Sequence, residues 1–203
     1  MRLILASSSP RRADLLRAAG YAFETIVAAV DESIRAGESP SVYVRRLAAD
    51  KSAAAMDTLK AGGMSHPPAP PLTSADVVVL GADTTVVVDG EILGKPRDDE
   101  EAAGMLRKLS GKRHEVLTGV SLRHGAHEVG RVETTAVYIR PLSEEDLSWY
   151  AASGEGRDKA GAYALQGLAS RFIPRIDGSY SNVVGLPVAC LAELLPSLLA
   201  SRL

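Results

Sequence analysis

The stretch Asp76–Pro96, DVVVLGADTTVVVDGEILGKP, is the one around which the rest of this chain is organised. Its first apolar run, residues 77–80, is too short and too β-branched for a helix and predicts a buried strand. A second β-branched run, residues 85–88, leads into Asp89-Gly90, a strong signal for a two-residue hairpin turn. Asp83 is therefore expected just beyond a buried strand. Ligands of open α/β sheets bind outside the carboxyl ends of strands, so Asp83 either faces a ligand or caps a turn.

The size and composition of the chain bound what it can be. At 203 residues, of which 46% are hydrophobic, the chain has the length and apolar content for one domain, or for one domain with two lobes. The formal net charge of −2 argues against a broad surface for nucleic acid. A local basic pocket for a small anionic ligand is compatible with this charge. We therefore expect no nucleic-acid polymer as a partner.

Cysteine usage and the lengths of apolar runs bear on the compartment. Cys190 is the single cysteine of the sequence, so no intrachain disulfide can form, and its apolar helical setting predicts a small core residue. The first residues, MRLILASSS, contain too short an apolar run for a signal peptide, and no stretch reaches the ~20 apolar residues of a membrane span. These patterns predict a soluble, cytoplasmic protein without a membrane partner.

Near the N-terminus, a predicted strand leads through a serine-rich turn into a helix. The strand covers residues 2–6, Ser9 suits the N-cap, and Pro10 suits the first helical position. Arg11 and Arg12 stand in the first turn, where cations oppose the helix dipole. Either an anion binds at this helix N-terminus and reverses that penalty, or two solvated arginines tolerate a small cost. We expect alanine at either position to weaken binding or turnover but to cost the free protein little stability, because it removes an unfavourable contact with the helix dipole.

Charged groups accompany two further predicted elements. A strand over residues 23–30 precedes the acidic pair Asp31-Glu32, which either serves a turn or binds Mg²⁺ together with substrate phosphates. A helix over residues 39–60 carries Lys51 in the middle of its apolar face. Such a lysine extends along apolar surface to water, pairs with an acid, or reaches into a site.

The remaining elements follow from periodicity and turn signals. A proline- and glycine-rich stretch at residues 62–74 predicts an exposed loop, with His66 solvated. The small-residue-rich segment 158–167 contains Tyr163 and Gln166, whose side chains are able to read a ligand. Further helices are expected at 98–109, at 143–152 and at the C-terminus, and further strands at 115–122, 132–139 and 171–176.

Short motifs distributed over nearly the whole chain carry a family resemblance. They are Ser7–Arg12 (SSSPRR), Asp31-Glu32, Lys51, Gly81–Thr84 (GADT), Gly94–Pro96 (GKP), Leu109–Gly111 (LSG), Asp158–Tyr163 (DKAGAY), Gln166-Gly167, and Asp177-Gly178 through Gly185–Pro187 (GLP). Each motif by itself is weak, whereas their joint order and spacing are highly specific. In these features the chain resembles the Maf family of nucleoside triphosphate pyrophosphatases.

The resemblance implies a fold and a reaction. The fold is α/β: a mixed, twisted sheet with flanking helices in a single Maf-like domain, residues 1–203, with two lobes around an active-site cleft as in inosine triphosphatase-like proteins. The reaction is cleavage of a nucleoside triphosphate to the monophosphate and pyrophosphate with a divalent cation, Mg²⁺ or Mn²⁺. The family also implies a homodimer. The clearest departure from the family pattern is the proline-rich stretch at residues 62–74.

The resemblance also implies roles for individual residues. Asp83 is the base that activates the attacking water, and Lys51 and Lys95 stabilise developing negative charge. Glu32 and Asp83 hold the metal, directly or through water. The implied substrate-binding residues are Ser7, Ser9, Arg11, Arg12, Thr84, Tyr163 and Gln166.

The identity of residue 166 bears on the substrate. Tyr163 with Gln166 looks like the branch of the family that acts on dTTP and UTP, whereas the branch acting on 7-methyl-GTP tends to carry Glu at this position. An amide can donate and accept at a pyrimidine edge, while a carboxylate suits the donor edge of guanine. The alternatives are a 7-methyl-GTP-preferring enzyme and a nucleotide-binding regulator of septation or cell shape without significant turnover. Catalysis is favoured because binding alone requires no base beside the phosphates.

Overall fold

The computed structural model describes residues 1–61 and 77–200, and within them the chain forms a mixed α/β fold. The strands are β1 (Arg2–Ala6), β2 (Phe23–Thr25), β3 (Val77–Val88), β4 (Glu91–Leu93), β5 (Arg113–His124), β6 (His127–Tyr138) and β7 (Arg175–Asp177). The helices are α1 (Pro10–Ala18), α2 (Pro40–Lys60), α3 (Asp99–Leu109), α4 (Glu144–Ser153), α5 (Tyr180–Val184) and α6 (Val188–Ala200), with short 3₁₀ segments at Ala160–Ala162 and Leu168–Phe172. The loop predicted at 62–74, with His66, lies outside the described residues.

The described strands form one sheet in the order β2-β1-β3-β5-β6-β7, with β4 paired to β3. β1 runs parallel to both β2 and β3, whereas β4 is antiparallel to β3 and β7 is antiparallel to β6. The predicted mixed sheet with flanking helices is thereby confirmed.

The chain divides into two compact units. The first comprises Met1–Asp83, Thr118–Glu133 and Gly185–Leu203, and the second comprises Thr84–Leu117 and Thr134–Val184. The core of the first unit contains Leu5, Leu80 and Leu191, which are fully buried. In the second unit, Tyr150 of α4 packs edge-on against Phe172 with ring centroids 5.9 Å apart. The implied cleft between two lobes stays a prediction.

Several local signals give the structure that they predict. β1 has the expected bounds, and Ser9, Ser39 and Asp98 are the N-caps of α1, α2 and α3. Ser143 is the N-cap of α4 and forms a capping box with Asp146. The Ser143 side chain accepts from the Asp146 N–H, and the Asp146 side chain accepts from the Ser143 N–H.

The Asp89-Gly90 turn also forms as predicted and joins β3 to β4. Both residues have positive φ, 50° and 81°, as a type I′ hairpin turn requires. Val88 pairs with Glu91 directly across the turn.

Three strand predictions are corrected. β3 is one continuous strand from Val77 to Val88: the β1 ladder still pairs at Gly81 through Ala6, and β5 neighbours β3 on its other side, so Asp83 lies inside the strand and not beyond its end. The strand predicted at 23–30 ends at Thr25, because β1 offers it only the short register Leu3–Leu5. Of the strand predicted at 171–176, only the part from Arg175 onward pairs as a strand, because the preceding 3₁₀ segment extends to Phe172 and buries Ala169 and Phe172.

None of the helices within residues 1–61 and 77–200 combines the length and the apolar character needed to cross a membrane.

Candidate active site

Helix α2 lies directly on the backbone of two strands of the first unit, because each strand has a glycine at the contact. A Cβ atom added to Gly81 of β3 would stand 2.1 Å from the carbonyl oxygen of Ala48, and one added to Gly119 of β5 would stand 2.2 Å from that of Val44. Real Cβ atoms do not approach so closely, so any side chain at either position would displace the helix. This close packing brings the middle of α2 to the middle of β3.

The contact places Lys51 between two carboxylates. Its Nζ lies 2.7 Å from Asp83 Oδ1 and 2.7 Å from Glu32 Oε1. The side chains of Lys51 and Asp83 are only 11% and 12% exposed, whereas that of Glu32 is 54% exposed. Because an isolated charge is costly to bury, the Lys51 ammonium and the Asp83 carboxylate each offset the cost of burying the other. The predicted residues Glu32, Lys51 and Asp83 therefore form one cluster within the first unit.

Arg12 is part of the framework beside this cluster. It is buried; its Nε donates to the backbone oxygen of Gly185 at 2.8 Å and its Nη1 donates to Ser7 Oγ at 3.1 Å. Burial lowers the pKa of the Arg12 guanidinium, while the nearby charges of Asp83 and Glu32 raise it. The solvated-arginine interpretation is therefore wrong for Arg12.

The N-terminus of α1 keeps the features expected of a helix start. Ser9 has the extended conformation of an N-cap, and its side chain makes no capping bond. Its N–H donates instead to Ser7 Oγ at 3.2 Å, so one hydroxyl binds both the turn and Arg12. The first turn contains no acidic residue, and Arg11 is half-buried. Ser7, Ser9 and the two arginines thus lie together, in keeping with an anion site.

Tyr43, on the face of α2 that carries Lys51, is a residue of the site that the sequence analysis did not identify. Its hydroxyl donates to the backbone oxygen of Glu32 at 3.0 Å and so ties the acidic segment to the helix that carries Lys51. Burial raises the pKa of Tyr43 to about 12, and the negative charges of Asp83 and Glu32 act in the same direction. The available signal was its spacing, two helical turns before Lys51, which puts both side chains on one face.

Glu32 and Asp83 are suited to a divalent cation shared with a substrate. Both offer carboxylate oxygens, the ligands that Mg²⁺ and Mn²⁺ prefer, and both lie within 2.7 Å of one ammonium nitrogen. Among the described residues, no three His, Cys, Asp or Glu side chains are arranged to hold a metal ion by themselves. The donor set therefore fits a cation that takes its other ligands from water and phosphate.

The remaining predicted residues belong to the second unit. Thr84 follows Asp83 in β3 and is half-buried, while Lys95 and Gln166 are exposed. The predicted roles of Lys95 and Gln166 stay predictions.

Tyr163 is held inside the second unit by a histidine. It is 6% exposed, and its hydroxyl lies 2.7 Å from Nε2 of His114, which is itself buried. Burial lowers the pKa of His114 to about 4, and the positive charge of Arg113 adds to the effect, so the imidazole is neutral. The Tyr163 hydroxyl is therefore engaged within the core, and a direct contact with substrate stays a prediction. Sequence patterns gave no indication of this pair.

The fold and the cluster together define a class: a mixed α/β protein with a lysine and two carboxylates assembled next to an arginine-bearing helix N-terminus. The chain belongs to the Maf-like protein family, which matches residues 2–198. The predicted family membership is confirmed.

Curated relatives of the chain carry a functional name. A protein of Escherichia coli O157:H7 named dTTP/UTP pyrophosphatase is 46% identical over 200 residues, which cover 98% of this chain and 94% of that protein. Proteins with the same name from Symbiobacterium thermophilum and Anaeromyxobacter sp. are each 48% identical and cover 96% of this chain, with 92% and 88% of their own lengths matched. The Staphylococcus aureus Ham1 protein structure matches over 100% of both chains at 12% identity and a TM-score of 0.46, too weak a likeness to support an argument.

Proposed function

We propose that this protein hydrolyses dTTP and UTP to the nucleoside monophosphate and pyrophosphate. The observation that carries the proposal is the contact of Lys51 with both Asp83 and Glu32 in a chain of the Maf-like family. The names of relatives that match nearly the full chain support the same substrates. A protein that only bound nucleotide would not need a nearly buried carboxylate held against an ammonium.

The proposed chemistry begins at Asp83. Its carboxylate accepts a proton from water as the water oxygen bonds to the α-phosphorus and the bond between the α- and β-phosphates breaks. Pyrophosphate leaves with the bonding electrons. Lys51, which already lies beside Asp83, stabilises the charge that develops on the phosphate oxygens.

The other cationic residues have binding roles in this proposal. Arg11 and Arg12 hold phosphate oxygens at the N-terminus of α1, with Ser7 and Ser9 shaping the turn, and Lys95 neutralises leaving-group charge. A divalent cation held by Glu32 and Asp83 would neutralise phosphate charge and make phosphorus a better electrophile. Mg²⁺ and Mn²⁺ are the cations that we propose.

Base selection is assigned to Gln166, with Thr84 and Tyr163 as further members of the substrate site. The triphosphate is common to all candidate substrates, so discrimination has to come from the base edge. An exposed amide that offers both a donor and an acceptor suits thymine and uracil. We also propose a homodimer located in the cytoplasm.

A pyrophosphate-release screen tests the function directly. The purified protein is assayed with dTTP, UTP, CTP and 7-methyl-GTP, each with Mg²⁺, with Mn²⁺ and with chelator. We expect dTTP and UTP to give the highest kcat/KM, and turnover to stop in chelator. Preference for 7-methyl-GTP would overturn the substrate assignment. Tight nucleotide binding without pyrophosphate release would instead support the regulator.

A further inference from the structure

A tight turn presents Gln166 at the surface of the second unit. The N–H of Gly167 donates to the backbone oxygen of Ala164 at 3.2 Å, which places Leu165 and Gln166 at the corner of the turn. Gln166 is exposed. The orientation of this side chain depends on what holds the two ends of the turn.

Both ends are held by one hydrogen-bonded pair, Tyr150 and Glu155. At the entry, the Tyr150 hydroxyl accepts from the N–H of Ala164 at 3.1 Å. At the exit, Glu155 Oε1 accepts from the N–H of Leu168 at 2.9 Å. The two side chains are joined because the Tyr150 hydroxyl donates to Glu155 Oε2 at 2.8 Å.

The exit of the turn is built around this carboxylate. A Cβ atom added to Gly167 would stand 1.9 Å from Glu155 Oε1, so a larger residue there would displace the Glu155 carboxylate from its present position. Glu155 Oε2 also faces the N–H of Ala169, at 3.4 Å, in the first turn of the 3₁₀ segment. The carboxylate thus satisfies amides at the start of this segment that have no partner within it.

The pair is itself fixed in place. Tyr150 is 1% exposed and packs against Phe172, and burial together with the Glu155 charge raises the pKa of its hydroxyl, which stays protonated and able to donate. The backbone oxygen of Glu155 accepts from Lys159 Nζ, and its N–H donates to Ser153 Oγ at 3.2 Å. The Tyr150–Glu155 pair, called the clamp from here on, is therefore held by the protein core.

We infer that Glu155, with Tyr150, is a positioning residue that fixes the Gln166 turn and thereby sets the choice of pyrimidine, an inference that rests on the proposed function. A glutamine amide has a donor on one side and an acceptor on the other, so a mobile Gln166 can satisfy cytosine as well as thymine or uracil. Discrimination requires a backbone that restricts which edge the amide meets. The clamp supplies that restriction without touching the substrate.

The test uses Glu155→Gln and Tyr150→Phe. The first leaves one acceptor oxygen where there were two, and the second removes both hydrogen bonds of the hydroxyl while keeping the ring. Glu144→Gln is the matched control, since Glu144 is an exposed acid of the same unit bonded to Arg107. We measure kcat/KM for dTTP, UTP and CTP.

We expect kcat/KM on dTTP to fall by about tenfold or more in both clamp variants, the scale at which small misplacement affects rates. The preference for dTTP over CTP should fall with it, while the control keeps the wild-type values. A loss of equal size on all three nucleotides would mean a merely structural role and would overturn the inference. Unchanged preference in both variants would overturn it as well.

Amide hydrogen exchange separates this inference from the proposed function. If the wild type cleaves neither dTTP nor UTP, the proposed function fails. The clamp is then tested by the exchange rates of the Ala164 and Leu168 N–H groups alone. Faster exchange of Leu168 in Glu155→Gln and of Ala164 in Tyr150→Phe, with no change in Glu144→Gln, supports the clamp. Wild-type exchange in both variants overturns it.

Discussion

Lys51 Nζ lies 2.7 Å from Asp83 Oδ1, although the two residues are 32 positions apart and belong to a helix and a strand. Both side chains are nearly buried, and Glu32 joins them from the more exposed side. An ammonium between two carboxylates keeps the acids close together before any cation or substrate arrives. In the proposed function the metal and the phosphates bind at this cluster, so its members are the residues whose replacement should affect turnover most.

Asp83→Asn should reduce kcat by about 10²-fold or more, because the amide keeps the shape of the side chain but cannot accept the proton of the attacking water. Far-ultraviolet circular dichroism should remain that of the wild type. Asp89→Asn is the matched control: Asp89 directly follows the same strand, is exposed, and has φ of 50°, which asparagine tolerates. Wild-type kcat in a folded Asp83→Asn protein would remove Asp83 from the mechanism.

The two arginines of α1 should differ in their effect on stability. Arg12→Ala should lower the free energy of unfolding by ~1–3 kcal/mol, because it leaves the buried oxygen of Gly185 without this donor. Arg11→Ala should change stability little, as the helix-dipole argument predicts. Both variants should raise KM for dTTP. Urea unfolding measures the first effect, and equal stability of the two variants would contradict it.

Gln166→Glu should lower kcat/KM on dTTP by roughly tenfold, because a carboxylate can no longer donate to a pyrimidine carbonyl. It should not create activity on 7-methyl-GTP, since pocket size would also have to change. Because Gln166 is exposed, Tm should stay at the wild-type value and separate this effect from unfolding. Unchanged kcat/KM on dTTP would remove Gln166 from base recognition.

Gly81→Ala should destabilise the protein and impair turnover, since its Cβ would meet backbone atoms of α2, 2.1 Å from the oxygen of Ala48 and 2.8 Å from the nitrogen of Ser52. The helix would have to shift and would carry Lys51 with it. Gly104→Ala is the control, because Gly104 lies inside α3 with open space at its Cβ position. There alanine should stabilise by ~1 kcal/mol. Equal Tm values for the two variants would contradict the packing argument.

The buried imidazole of His114 predicts a pH dependence of stability. In the unfolded chain the imidazole binds a proton once the pH falls below its ordinary pKa of about 6.5. In the folded state burial lowers this pKa to about 4. The free energy of unfolding should therefore fall as pH drops from about 6.5 to about 4, by on the order of 3 kcal/mol from this group.

Thermal unfolding between pH 7 and pH 5 checks this expectation. The loss of Tm should be smaller in His114→Gln than in the wild type, while His127→Gln, at an exposed site, should keep the wild-type dependence. The same dependence of Tm on pH in all three proteins would show that the pKa of His114 does not differ between the folded and the unfolded state.

Elements whose signals lie within a few residues of one another could be predicted from the sequence. Ser143 and Asp146 form their capping box within a single turn, and Asp89-Gly90 defines its hairpin by local backbone preference. The ordered motifs also indicated the family. In the candidate site, the residues of the Lys51 cluster were identified as types suited to phosphate chemistry, although nothing local showed which of them would touch.

Contacts between segments that are distant in sequence could not be predicted in this way, because they depend on tertiary packing. β3 pairs with β1 as far as Gly81 and continues through Asp83 beside β5, which no property of Gly81 taken alone predicts. Lys51 meets Asp83 because glycines of β3 and β5 let α2 lie on the sheet backbone. The Tyr163–His114 contact and the Glu155 clamp likewise join segments far apart in sequence. Such contacts depend on how elements pack together, whereas sequence periodicity reports only which face of an element is buried.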